Sequence, residues 1–343
     1  MNIEKLLSRN LLPDSLIRYG IRRLLKQRLA DEAKATPEEQ QHSFMELVTA
    51  LKSSTLAVKT KEANEQHYEI PAEFYTYALG KNLKYSCGYW AKNNHDLDTS
   101  EHDMLVKTCK RAGIKNGESI LELGCGWGSL TLFIAANFPD CKITAVSNSA
   151  SQKEFIDKTA RQRKLDNVNI ITADMNHFTT GEKFDRIVSV EMFEHMRNYE
   201  TLFSKVYSFL KPAGEMFIHI FTHNKFAYLF EVKDESDWMS KYFFSGGIMP
   251  SNHLLLYFTK DFEVLNHWVV DGTHYEKTSN AWLKNMDNHK NEILNLFSKV
   301  YGEENKIKWF VYWRVFFMSC AELWGYENGN EWFVSHYLFK KRG

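Results

Sequence analysis

Between Ser119 and Phe221 short apolar runs alternate with longer amphipathic stretches, and this alternation restricts the fold more than any other feature of the chain. Ser119–Leu123, Lys142–Val146, Val168–Thr172, Phe184–Val190 and Glu215–Phe221 read as buried strands. Ser129–Phe138, Ser151–Lys164 and Tyr199–Leu210 lie between them with helical periodicity. Successive strands separated by helices need crossover connections, which gives βαβ units, a parallel sheet and helices on both faces. The predicted class is α/β.

Around that sheet the pattern is mostly helical. Helices are predicted over Ser15–Leu29 and from about Glu38 to Leu51, then over Asn280–Tyr301 and Asn305–Trp324. Regularity lapses between His223 and about Asn280, a stretch expected to supply much of a substrate cap. Asn328-Gly329-Asn330 signals a turn, and Glu331–Lys340 alternates like a closing, hairpin-like strand. The expected division is an N-terminal helical extension over 1–60, a ligand-binding core over 61–222, a cap with C-terminal helices over 223–327, and a strand returning to the core sheet over 328–343.

Lysine plus arginine equal aspartate plus glutamate at 43 each, so the body of the chain has no basic excess with which to hold nucleic acid. The one imbalance is local: residues 1–30 carry seven basic side chains against Glu4 and Asp14. The helix there either packs on the body or on the neighbouring subunit of a homodimer, or lies on an anionic membrane surface. Five cysteines without a CxxC pair, an opening without an apolar leader, and no apolar run of spanning length point to a reducing, cytoplasmic setting. Aromatic residues make up 14%, and of nine tryptophans only Trp90 and Trp127 precede position 238. The C-terminal third is therefore either a ring-rich core or an aromatic pocket for an organic cation or a lipid chain.

Leu121-Glu122-Leu123-Gly124-Cys125-Gly126-Trp127-Gly128 falls between a predicted strand and a predicted helix. Glycines at such a turn let the backbone approach a ligand. GxGxG alone is compatible with a dinucleotide site, a structural turn or an adenosylmethionine site. Glu122 tilts the balance, because a carboxylate at the strand end repels a pyrophosphate but suits the ammonium of a methionine moiety. After the second strand the usual acidic ribose ligand is replaced by Ser147-Asn148-Ser149 and Gln152. Asp174-Met175, after the third, is placed either to meet adenine or to cap a turn.

With these pieces in order the sequence resembles the cyclopropane-fatty-acyl-phospholipid synthase superfamily, and within it the plant coclaurine N-methyltransferase group. The matching runs include His67-Tyr68-Glu69-Ile70-Pro71, Tyr85-Ser86-Cys87-Gly88-Tyr89, the Glu122–Gly128 turn, Ser149–Ile156, Val190–Met196, and Glu331-Trp332 with Ser335-His336. The resemblance implies a Rossmann-like class I methyltransferase sheet and S-adenosyl-L-methionine as cofactor, leaving as S-adenosyl-L-homocysteine. It implies cofactor contacts at Tyr85, Ser86, Gly124, Cys125, Gly126, Asn148, Gln152, Asp174 and Met175, to which the turn itself adds Glu122 and Gly128. It implies catalytic roles for Glu191, Glu194 and His195, and no metal.

Those three residues follow the fourth predicted strand, at the sheet edge where open α/β folds place ligands. Methyl transfer to an amine needs a base, because an alkyl ammonium has no free lone pair. A histidine beside a carboxylate suits that task. On this reading His195 is the base, Glu194 orients it and Glu191 holds the substrate cation; the bland alternative is a helix cap and a core histidine. In the cyclopropane synthases the positions matching Cys87, Glu194 and His219 hold a bicarbonate base together with a tyrosine, which here is replaced by Leu283. That departure favours a small aromatic or benzylic amine as acceptor over an unsaturated acyl chain of a phospholipid. A cofactor-binding regulator without activity is the third reading, which the intact Glu194 and His195 oppose.

Overall fold

The computed structural model describes residues 3–58, 70–92, 96–232 and 238–343, with the side chains of Ile3 and Lys5 excepted. His67-Tyr68-Glu69 of the first matching run lies outside the described residues. The sheet has seven strands, β1 Ser119–Leu123, β2 Lys142–Ser147, β3 Val168–Thr172, β4 Phe184–Val190, β5 Leu210–His223, β8 Phe262–Val270 and β9 Trp332–Lys341, in the order β3-β2-β1-β4-β5-β9-β8. Neighbours from β3 to β5 are parallel, while β9 enters antiparallel between β5 and β8. A small second sheet pairs β6 Tyr228–Leu229 with β7 Ile248–Met249 in the cap.

Alternate residues of the central strands face opposite layers, as the twofold strand period requires. Ile120 and Val188 pack on α5 Leu97–Ala112 and α6 Ser129–Asn137, whereas Leu121 and Ile187 face α3 Pro37–Ser53 and α8 Tyr199–Phe209. The helix ends follow capping chemistry. In α3 the Thr36 hydroxyl accepts from the Glu39 amide at 3.2 Å and the Glu39 carboxylate accepts from Ala35 N, a reciprocal cap. Helix α5 starts at Asp96, whose side chain accepts from Thr99 N at 2.8 Å, and ends at Gly113 with φ of 64°.

The basic helix, α2 Asp14–Glu32, packs on the body through Ile17. Arg18 and Arg22 both reach Glu322 of α12 Lys306–Gly325, at 2.9 and 2.6 Å, and Arg314 of α12 binds both oxygens of Asp14.

Two expectations need correcting. Residues 262–270, expected in an irregular cap, form the edge strand β8; it pairs on one side only, carries a register shift between Val264 and Asn266, and leaves Val264 and Val269 exposed, so it lacks the apolar run of a central strand. The single helix expected over Asn280–Tyr301 is two, α10 Gly272–Asn288 and α11 Lys290–Tyr301, broken at His289. Helix α10 starts earlier than its apolar pattern because Asp271 caps it and Gly272 packs where a Cβ would strike the carbonyl oxygens of Trp324 and Trp332. Helix α5, α4 Ala72–Ala78, α1 Ile3–Ser8 and α9 Trp238–Tyr242 were not foreseen. The aromatic excess is core first: Trp282, Trp313 and Trp332 are fully buried.

Candidate active site

One cavity opens along the carboxyl ends of β1 to β5, under α10, α12 and the cap. Of the cofactor-binding residues expected from the sequence, Tyr85, Ser86, Glu122, Gly124, Cys125, Gly126, Asn148, Gln152, Asp174 and Met175 line it, as do Glu191, Glu194 and His195. Gly128 does not; it starts α6 with φ of 81°, and a Cβ there would collide with Ile156 of α7 Ala150–Arg163.

The turn after β1 is tied to β2 by the amides of Gly124 and Cys125, both donating to Val146 O at 3.0 Å. Gly124, Gly126 and Gly128 all have positive φ. A Cβ on Gly124 would strike Met192, whereas one on Gly126 would meet nothing within 4 Å, so the middle glycine leaves backbone bare to the cavity. Glu122 accepts from the Thr131 hydroxyl, and burial pushes its carboxyl up to about 8.

At the end of β2 the Ser147 hydroxyl donates to Gln152 Oε1 at 2.6 Å, which aims the amide nitrogen elsewhere. Asp174 closes its own turn by accepting from Asn176 N at 2.8 Å, which is the turn cap expected of it, and it also lines the cavity. Some buried polar atoms of the cavity have no partner among the described residues, including Gln152 Nε2, Trp127 Nε1, Ser129 Oγ and one oxygen of Glu194. Desolvated atoms of this kind call for a polar ligand. The bare glycine, the carboxylate at the strand end and these unpaired groups fit a nucleoside carrying an amino-acid tail.

Lys84 was not anticipated. It is 2% exposed, donates to the Ser86 hydroxyl, and is the only lysine or arginine among the described residues that line the cavity. Burial lowers its pKa, and the Glu191, Glu101 and Glu122 carboxylates oppose that shift.

Glu191 directly follows β4 with φ of 49°. Its Oε1 accepts from the Cys87 amide at 3.1 Å and from His219 Nε2 at 3.2 Å, and its Oε2 from the Tyr275 hydroxyl at 2.5 Å. The carboxylate–imidazole bond among the described residues of this cavity is thus Glu191 with His219, rather than the expected Glu194 with His195. Burial raises the Glu191 pKa while Lys84, Tyr275 and the Cys87 amide oppose the rise; for Glu194 burial and the Glu191 charge act together, and its pKa lies well above the carboxylate range. The His195 ring packs on Phe244 at 4.7 Å, the first ring of an aromatic wall that continues through Phe221 and Trp324 to Tyr275. Leu283 is buried in α10 and does not reach the cavity.

The family model of mycolic acid cyclopropane synthetases matches residues 56–328. The chain belongs to that family. Within this synthetase family it is 41% identical to the (S)-coclaurine N-methyltransferase of Thalictrum flavum subsp. glaucum, over all of this chain and 96% of that one. A crystal structure of coclaurine N-methyltransferase bound to N-methylheliamine and SAH superposes with a TM-score of 0.96 at 40% identity, over 99% of each chain. The cyclopropane-fatty-acyl-phospholipid synthase of Escherichia coli (strain K12) is a more distant synthetase relative, 30% identical over 64% of this chain and 54% of its own.

Proposed function

We propose that the chain is an S-adenosylmethionine-dependent N-methyltransferase acting on a small amine carried by an aromatic framework. The observation that carries this reading is a carboxylate pair, Glu194 buried and Glu191 with a side chain only 10% exposed, set against an aromatic wall after β4. Relatives similar over the whole chain are alkaloid N-methyltransferases.

Bound S-adenosylmethionine supplies an electrophilic methyl group on a sulfonium. Glu122 would hold its ammonium and Lys84 its carboxylate, with Gly126 giving the backbone room and Asn148, Gln152, Asp174 and Met175 taking the nucleoside. On the acceptor side the rings of Phe244, Phe221, Trp324 and Tyr275 bury the aromatic part of the amine. The acceptor arrives as an ammonium and must lose one proton before nitrogen can attack. Glu194, with a raised pKa and an unpaired oxygen, is suited to take that proton, and His195 beside it to pass it outward. Glu191, ionised and held by three donors, balances the positive charge that builds on nitrogen as the methyl is transferred.

Against the lipid alternative stands the position of the Glu191 carboxylate. It fills with a side chain the place beside Cys87 and His219 where the resemblance puts a bicarbonate in cyclopropane synthases. Three α2 and α12 arginines, Arg18, Arg22 and Arg314, are also committed to protein carboxylates rather than to an anionic surface. Among the described residues no helix is long and apolar enough to cross a membrane, and a cytoplasmic enzyme is the setting we propose.

Purified protein with methyl-labelled cofactor, offered a panel of benzylic and tetrahydroisoquinoline-type amines and vesicles of unsaturated phospholipid, tests the reading. Label should pass to one or more amines and not to lipid; transfer to the olefins alone would overturn it.

A further inference from the structure

A hydrogen-bonded chain crosses the sheet behind Glu191 and leaves the cavity on its far side. In the registers of β4, β5 and β9, Val190 pairs with His219 and His219 with His336, so the three strands bring Glu191 and two imidazoles into line. His219 Nε2 is 3.2 Å from Glu191 Oε1, and His336 Nε2 is 2.9 Å from His219 Nδ1. At the outer end Arg111 of α5 brings NH1 to 2.8 Å from His336 Nδ1. Both rings are fully buried, while Arg111 is part-buried with its guanidinium over the Trp268 ring.

A guanidinium has donors and no acceptor, and it keeps its charge at any pH the fold tolerates. His336 Nδ1 must therefore accept, which leaves its proton on Nε2. That proton is given to His219 Nδ1, so His219 also carries its proton on Nε2 and gives it to Glu191. Neither ring can take a second proton without losing one of these bonds in a dry interior, and burial holds both well below the ordinary histidine range. One surface-side cation thus orders three successive hydrogen bonds. Without it the chain can run the other way, with both protons on Nδ1; His219 Nε2 then turns a lone pair toward Glu191, which must bind a proton or let go.

We infer that Arg111, acting through His336 and His219, is a positioning residue that sets the direction of this chain and keeps Glu191 an acceptor. The catalytic consequence rests on the role proposed for Glu191; the direction of the chain does not. The two are separable by experiment. Full-length protein labelled with 15N-histidine, its two rings assigned from His219→Gln and His336→Gln, should show both as neutral Nε2–H tautomers. In Arg111→Met one or both should move to Nδ1–H or exchange between forms, and Arg111→Lys, again a pure donor, should restore the original pattern. Turnover of Arg111→Met should fall roughly tenfold or more, as expected when a charge-assisted hydrogen bond is lost behind a reacting group, with affinity for S-adenosylhomocysteine within about threefold of the parent. A wild-type spectrum with either ring as Nδ1–H, or an Arg111→Met spectrum unchanged from it, overturns the inference. Tautomers that move while turnover of an identified amine stays constant would leave the chain's direction standing and remove the positioning role. If Arg111→Met fails to fold, the wild-type and Arg111→Lys spectra still decide the direction.

Discussion

Glu191 accepts hydrogen bonds on both of its carboxylate oxygens, whereas Glu194, three residues on and facing the same cavity, has one oxygen with no partner among the described residues. Two buried carboxylates so close cannot both ionise freely, and the one with three donors is the one that keeps its charge. On the reading proposed above, the proton-accepting work then falls to Glu194, with Glu191 as the fixed anion. Titration of such a pair belongs to both groups together.

The first prediction follows from that division. Glu194→Gln should lower kcat by about 10²–10⁴, the usual contribution of a general base, while calorimetry finds S-adenosylhomocysteine binding unchanged. The acid limb of the parent's kcat/KM profile should lie well above the ordinary carboxylate range, because the raised Glu194 must lose its proton before it can act. An acid limb at an unshifted carboxylate pKa would assign the base elsewhere.

Glu191 has a left-handed backbone with φ of 49°, a conformation that costs a glycine nothing. Glu191→Gly should therefore fold and leave the Cys87 amide, His219 Nε2 and the Tyr275 hydroxyl converging without their acceptor. Such a gap fits a small oxyanion. Activity should drop by roughly 10² or more, and added bicarbonate should recover part of it where equal chloride does not. The parent should be indifferent to bicarbonate. Loss without anion rescue would show that the carboxylate must be tethered.

The sheet was largely legible because its central strands are buried on both faces and read as continuous apolar runs. Edge strand β8 exposes Val264 and Val269 and holds Asn266 and His267 among its apolar residues, so no periodicity marks it. Helix α5 did carry a signal, Asp96 before it and Gly113 after it, which its weak apolar stripe obscured. At the site, residues contiguous in one turn were found together: Glu122 to Gly126, then Glu191, Glu194 and His195. Lys84, Tyr275, His336 and Arg111 were missed for a different reason. Each comes from a separate element and meets the cavity or Glu191 only through strand register and helix packing. A lysine beside Tyr85-Ser86 looks the same in sequence whether it is solvated or 2% exposed.

Lys84 yields a ligand-specific prediction. As the only lysine or arginine among the described residues lining the cavity it is matched to a carboxylate, and the cofactor has one. Lys84→Met should weaken S-adenosylhomocysteine binding by roughly 10- to 100-fold, the range for losing a hydrogen bond to a charged group. Binding of 5′-methylthioadenosine, which lacks the amino-acid tail, should stay within about threefold. Equal losses for both ligands would mean that Lys84 supports the fold of the site rather than the tail.

Glu122 provides a proton count. Burial raises its carboxyl to about 8, so at about pH 7 most molecules of the free protein hold it neutral. An ammonium arriving beside it favours the ionised form, and that carboxyl must then give up its proton. Uptake of S-adenosylhomocysteine near pH 7 should therefore release roughly one proton, visible as a binding enthalpy that differs between buffers of unlike ionisation heat. The release should shrink as pH rises above 8, where the carboxyl is already charged, and should vanish in Glu122→Gln, which also binds more weakly. Buffer-independent enthalpy in the parent, or proton uptake in place of release, would separate Glu122 from the ammonium.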